Sequence, residues 1–129
     1  MIFFISVIYM DKKYVPSSLS KEDKQKQIKS IIEKKDRPKV EYKSRRSKYV
    51  VDFEKKYGTK ITDDDFINKN IIKKKGIDLI LDKGIGAYYS SGSRPNQTPF
   101  SWSRARLASV IMGGVARKID KKIWEKYKR

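Results

Sequence analysis

Residues 84–106 read GIGAYYSSGSRPNQTPFSWSRAR, and the parsing of this stretch decides the fold. The chain around it is crowded with lysine, yet these residues include no Lys, Asp or Glu. Their only charges are Arg94, Arg104 and Arg106. Up to Gln97 the stretch reads as a long irregular loop, because AYYSSGSRP is rich in turn formers. Thr98-Pro99 then opens a helix, with a Thr cap and Pro at the first helical position. From Phe100 to Met112, Trp102, Ala105, Ser109 and Met112 line one face, with Leu107 and Ile111 nearby. Gly113-Gly114 stops the run.

Working outward, the rest of the chain predicts further short helices. A last one, over 117–128, carries Ile119, Ile123 and Tyr127 on one face with Trp124 alongside. Upstream, IDLILDKG (77–84) predicts a short helix through Ile77, Ile80 and Leu81. LDKGIG (81–86) is similar to the hydrophobic-Gly-hydrophobic-Gly turn of helix-hairpin-helix modules, but turn formers follow where a second helix belongs. Thr62 before DDDF and the basic KKKG predict a helix over 63–75, acidic at its start and basic at its end. Tyr49, Phe53 and Tyr57 recur every four residues before Gly58, which marks another helix. Ser20, Glu22 and Asp23 predict a helix start, with Ile28, Ile31 and Ile32 as its apolar stripe. That helix ends before Arg37-Pro38, since the residue preceding proline avoids the helical region. The expected architecture is mainly α: a small single-domain bundle of five or six short helices over 14–129, with a long Gly/Ser-rich loop at 84–97.

The opening MIFFISVIYM is too short for a membrane-spanning helix and lacks the basic region and cleavage site of a signal peptide. Phe3, Phe4, Ile5, Val7 and Ile8 favour extended structure, so residues 1–13 read as an apolar N-terminal extension. A soluble, intracellular chain with no integral membrane association is expected.

Charge is the dominant property: 32 Lys+Arg against 15 Asp+Glu give +17 over 129 residues. Such density repels itself and suits an anionic partner. Nucleic acid fits, because each neutralised phosphate releases counterions; an acidic protein or an anionic membrane surface fits the same charge. The chain has no Cys and no His. Thiolate zinc sites, thiol nucleophiles and Ser-His catalysis are thereby excluded. Asp63, Asp64 and Asp65 offer hard oxygen ligands, but adjacent helical residues point to different sides and make a poor cage. A histidine-free phosphoryl-transfer enzyme using these acids, Glu54, Asp78 and Asp82 is a further reading, though no spacing matches a metal-carboxylate motif. No enzyme activity, metal or cofactor is expected.

The absence of lysine from 84–106 suggests a division of labour, with lysine as diffuse charge and arginine where geometry is fixed. Arg94 supplies a fork for phosphate. Arg104 and Arg106 diverge by about 200° on a helix, so one of them is expected to be structural. Tyr89 and Trp102 are candidate stacking surfaces. The basic cluster Lys43, Arg45 and Arg46 is a candidate nucleic-acid arm. Alternatively, the polar groups of the loop satisfy its own backbone and make it a folding keystone.

GIGAYYSSGSRPNQTPFSWSRARLASVI, followed by GGVARKIDKKIW, resembles the signature of an uncharacterised family encoded by large double-stranded DNA viruses of algae and amoebae. YVPSSLSKEDKQKQIKSI, RPKV and KKYG are similar to its N-terminal half, so the resemblance runs from Tyr14 onward. It implies a viral, virion-associated protein with no assigned activity, found in the virion and, during infection, in host cytoplasm or viral factory. No catalytic residue carries over. The expected function is binding of nucleic acid, DNA before RNA, in genome packaging or condensation. The alternative is a minor capsid or internal structural protein that bridges other virion proteins.

Overall fold

The computed structural model describes residues 12–129. The apolar opening segment, and the extended structure expected of it, lie outside the described residues. Seven helices occur among the described residues rather than five or six: α1 (Lys21–Ile32), α2 (Lys48–Tyr57), α3 (Asp64–Asn70), α4 (Lys74–Ser90), α5 (Pro99–Ile111), α6 (Val115–Ile119) and α7 (Lys121–Tyr127). No strand forms among them; a single antiparallel bridge joins Ile72 to Lys128. The molecule is mainly helical, and its described residues group into two compact units. The first holds those up to Arg45 together with Gly86–Pro99; the second holds Arg46–Ile85 and Phe100–Arg129.

In the first unit, Ser20 caps α1, its Oγ accepting the Asp23 N–H at 3.1 Å. Leu19 and Ile31 are buried as apolar anchors, while Ile28 and Ile32 are only half-buried. A polar residue takes the deepest place on this helix. Gln27 is fully buried, and its Nε2 donates to the carbonyls of Tyr14 and Ser93 at 2.9 and 3.0 Å. Fully buried Tyr88 is the other anchor. Its hydroxyl accepts the Arg37 N–H at 2.7 Å and donates to the Gln97 carbonyl at 3.0 Å.

The second unit has the larger apolar core, in which Phe53, Ile67, Ile72, Ile77, Ile80, Leu107 and Val110 are wholly buried. Each such side chain contributes roughly 1.5–3 kcal/mol of transfer free energy. Helix α2 forms as its aromatic spacing predicts. Phe53 packs on Tyr57 with ring centroids 4.9 Å apart, and Tyr57 meets Phe66 edge-on at 5.9 Å. Gly58 closes the helix at φ 66°, a left-handed conformation costly for other residues.

Three expectations are corrected. The helix expected over 63–75 is two helices, with a break at 71–73. Ile71 and Ile72 are both buried, which an uninterrupted surface helix does not readily give to neighbouring residues. The C-terminal chain secures the break: the Lys73 N–H donates to the Tyr127 carbonyl at 2.9 Å, and the Arg129 N–H to the Ile71 carbonyl at 2.8 Å. Asn68 then caps α4, its Oδ1 accepting the Lys74 N–H at 2.8 Å. KKKG therefore begins a helix instead of ending one.

The loop expected at 84–97 is helical as far as Ser90, so the irregular segment starts at Ser91. Gly84 is tolerated inside α4 because it is a contact point. A Cβ there would lie 2.6 Å from Ser103 Cα in α5. Packing outweighs the ~1 kcal/mol helix penalty of glycine. The helix expected over 117–128 is α6 and α7, divided at Asp120. Ile119, assigned to its buried face, is 67% exposed, while Ala116 and Asp120 turn inward. On α5 Ser103, Leu107, Ala108, Ser109, Val110 and Ile111 are buried; of the expected face Ser109 is covered, while Trp102, Ala105 and, just beyond the helix, Met112 are only partly covered.

Candidate nucleic-acid interface

The segment after α4 turns sharply at Gly92, whose φ of 99° few other residues adopt. The N–H groups of Ser91 and Gly92 both close on the Ala87 carbonyl. Ser93 and Pro95 are fully buried, while Arg94 between them is exposed. Asn96, at φ 60°, bonds a second backbone segment. Its Oδ1 accepts the Val40 N–H at 2.9 Å, and its Nδ2 donates to the carbonyls of Val40 and Tyr42 at 3.0 and 3.2 Å. These bonds stitch 91–98 to 40–42, one residue before Lys43 and two residues beyond Arg94. The loop is thus bonded to the 40–42 segment through the Asn96 side chain, while the Ser93 hydroxyl donates to the Arg94 carbonyl at 3.1 Å. Among the described residues, no side chain pairs with the Arg94 guanidinium.

The other candidates divide by unit and by partner. Lys43 and Arg45 are exposed in the first unit, and neither forms an ion pair among the described residues. Tyr89, also in the first unit, packs edge-on against Tyr88 and donates its hydroxyl to Asp36 at 2.7 Å. That bond, together with the nearby charge of Asp36, pushes the phenol above its ordinary pKa.

Arg46, Trp102 and Arg104 belong to the second unit. Arg46 pairs with Glu54 at 2.8 Å; the bond raises the Arg46 pKa and holds the Glu54 carboxyl below its usual range. Trp102 is half-buried on α5. Arg104 donates Nη1 to Asp64 Oδ1 at 2.6 Å and to the Ile61 carbonyl at 3.3 Å, and Nη2 to Asp64 Oδ2 at 3.3 Å. Arg106 forks onto Asp120 through Nε and Nη2 at 2.7 and 2.8 Å. Both arginines of α5 therefore hold the fold, where sequence reasoning expected one. Of the acidic triplet, Asp63 caps α3 by accepting the Phe66 N–H, and Asp64 carries the Arg104 pair.

Sequence reasoning passed over Arg37 and the groove beside it. This open groove of about 550 Å³ in the first unit is lined by Arg37, Pro38, Lys39, Val40, Tyr88 and Pro99, among others. RPKV marks only a helix boundary in the sequence. Nothing local signals that Tyr88, 51 positions later, accepts from the Arg37 backbone.

These features define a small, strongly basic, mainly helical protein with an exposed arginine on a hydrogen-bonded loop. The chain belongs to a family of unknown function, DUF5824, whose model matches residues 12–124. No curated protein and no solved structure matches the chain.

Proposed function

We propose that the protein binds nucleic acid through the phosphate backbone, DNA before RNA, with little sequence preference. The observation that carries this reading is Arg94: an exposed residue whose guanidinium has no side-chain partner among the described residues, seated between buried Ser93 and Pro95. The planar guanidinium fork loses less freedom per hydrogen bond formed on a phosphate than a lysine does. Lys43 and Arg45 extend the contact surface, and the net charge of +17 supplies long-range attraction. Arg46, Trp102 and Arg104 have smaller parts, since Arg46 and Arg104 already face carboxylates. With the resemblance to proteins of large double-stranded DNA viruses, this reading places the protein in the virion or viral factory, condensing or packaging the genome.

Fluorescence anisotropy against a short duplex and a matching single strand, from 50 to 300 mM salt, tests it. Log affinity should fall steeply and linearly with log salt. Absence of binding near physiological salt would remove the proposal.

A second reading, a bridge between virion proteins, is favoured by a different feature. Val115 and Ile119, 66% and 67% exposed, stand one turn apart on α6, with Lys118, Lys121 and Lys122 exposed nearby. An apolar pair among cations suits an acidic protein surface, and Ile119→Asp would then abolish capture of capsid protein while sparing DNA binding.

A further inference from the structure

Local sequence gives no reason for the basic runs 73–75 and 126–129 to meet, yet the second unit joins them backbone to backbone. Ile72 and Lys128 form the antiparallel bridge. The Lys73 N–H donates to the Tyr127 carbonyl, and the Arg129 N–H to the Ile71 carbonyl. Arg129 also secures the junction with its side chain: Nε donates to the Asn68 carbonyl at 2.6 Å and Nη2 to Asn68 Oδ1 at 3.2 Å. Gly76 admits the crossing chain, since a Cβ there would lie 2.6 Å from Tyr127 Cβ. Hydrogen bonds and one close approach thus hold together two segments whose charges repel.

Lys69, Lys73, Lys75 and Lys126 are exposed around this junction and form no ion pair among the described residues. Lys74 and Lys128 pair with Asp78 and Glu125, but these four side chains are 46–57% exposed, so water screens both pairs. None of the large exposed apolar residues, Leu79, Ile85, Phe100, Val115 and Ile119, belongs to either segment. A protein interface is built around an apolar or aromatic centre, and a membrane-surface element buries an apolar face. The junction offers neither. Its one aromatic ring at the crossing, Tyr127, is only partly exposed, which leaves little for unpaired bases to stack on. A cluster of exposed ammonium groups without such anchors suits a ladder of phosphates, where each neutralised charge releases counterions. We infer that the junction of 69–75 with 126–129 is a second surface for duplex phosphates, in the unit that Arg94, Lys43 and Arg45 do not occupy. The inference rests on the reading that the partner is nucleic acid, and adds to it a surface that works by lysine charge.

The experiment compares the full-length wild type with Lys73→Gln/Lys126→Gln and with Lys55→Gln/Lys56→Gln, which removes the same charge from exposed positions on α2. Anisotropy of a labelled mixed-sequence duplex across a salt series reads all three. The junction pair should lower affinity by roughly tenfold near physiological salt and make the slope shallower by about two, one for each phosphate contact. The α2 pair should keep the wild-type slope. Equal behaviour of the two pairs would overturn the inference, because net charge alone then accounts for the loss. If the junction pair lowers the melting temperature, Lys69→Gln/Lys75→Gln repeats the comparison on the remaining unpaired lysines. Polyglutamate that displaces the labelled duplex as well as unlabelled duplex does, at equal charge concentration, would assign the surface to an acidic protein and likewise overturn it. A wild type that binds no duplex removes the proposed function. Loss of affinity in Arg94→Ala, with the junction pair matching its control, removes this inference alone.

Discussion

Asn96 answers both backbone groups of Val40: its Oδ1 accepts the Val40 N–H and its Nδ2 donates to the Val40 carbonyl, at 2.9 and 3.0 Å. One side chain thereby stands in for a neighbouring strand and ties the loop after α4 to the segment after α1. Asn96→Ala should destabilise the protein by about 2 kcal/mol, the range for leaving partly buried backbone groups unanswered. Asparagine also tolerates the φ of 60° better than alanine does. Urea unfolding followed by circular dichroism measures the loss; an unchanged midpoint would show that the stitch contributes nothing.

Asp120 is nearly inaccessible, its side chain 2% exposed, and it receives the Arg106 fork. Removing one partner of such a pair strands the other charge. Asp120→Ala should therefore cost about 3–5 kcal/mol. Asp64→Ala should cost less, since Asp64 is 28% exposed and water can reach the freed Arg104. Thermal unfolding of the two variants ranks them, and equal losses would contradict this ordering.

Gly84 lies against the backbone of Ser103, where an added Cβ would approach Cα to 2.6 Å. Gly84→Ala should gain helix propensity yet lose stability, by about 1–3 kcal/mol, because backbone cannot move aside as a flexible side chain can. A rise in melting temperature would show that α4 and α5 can separate at no cost.

Much of the fold was legible where the signal is local. Tyr49, Phe53 and Tyr57 mark α2, Gly58 ends it, Ser20 starts α1, and Thr98-Pro99 introduces α5. What failed was set by distant partners. IIKKKG has no breaker, so the bonds of Lys73 to Tyr127 and of Arg129 to Ile71 had no trace in the sequence near the break. GIGAYY looks like loop until Gly84 meets Ser103 and Tyr88 fills the first unit. The arginines of the site show the same limit. Residue type marked both Arg94 and Arg104 as contacts, and only the position of Asp64 divides them.

Acid should weaken the fold in a predictable direction. The Asp63 carboxyl is held below its ordinary value by the Thr59 hydroxyl and the Phe66 N–H, and Glu54 is held below its own by the Arg46 bond. A carboxyl whose pKa is lower folded than unfolded adds stability above its unfolded value, and that stability is lost as pH falls through the folded value. Stability should thus decline below the usual carboxylate range, and Asp63→Asn should flatten part of the decline. An identical acid limb in the variant would exclude Asp63 as a contributor.

The most direct test compares wild type with Arg94→Ala for melting temperature and for duplex affinity across a salt series. An exposed phosphate-binding fork on a hydrogen-bonded loop predicts an unchanged melting temperature, weaker binding at every salt concentration, and a salt slope shallower by about one. Unaltered affinity and slope would leave only generic lysine attraction, and an unfolded variant would make Arg94 part of the keystone it stands on; either result contradicts the assignment of Arg94 as the contact.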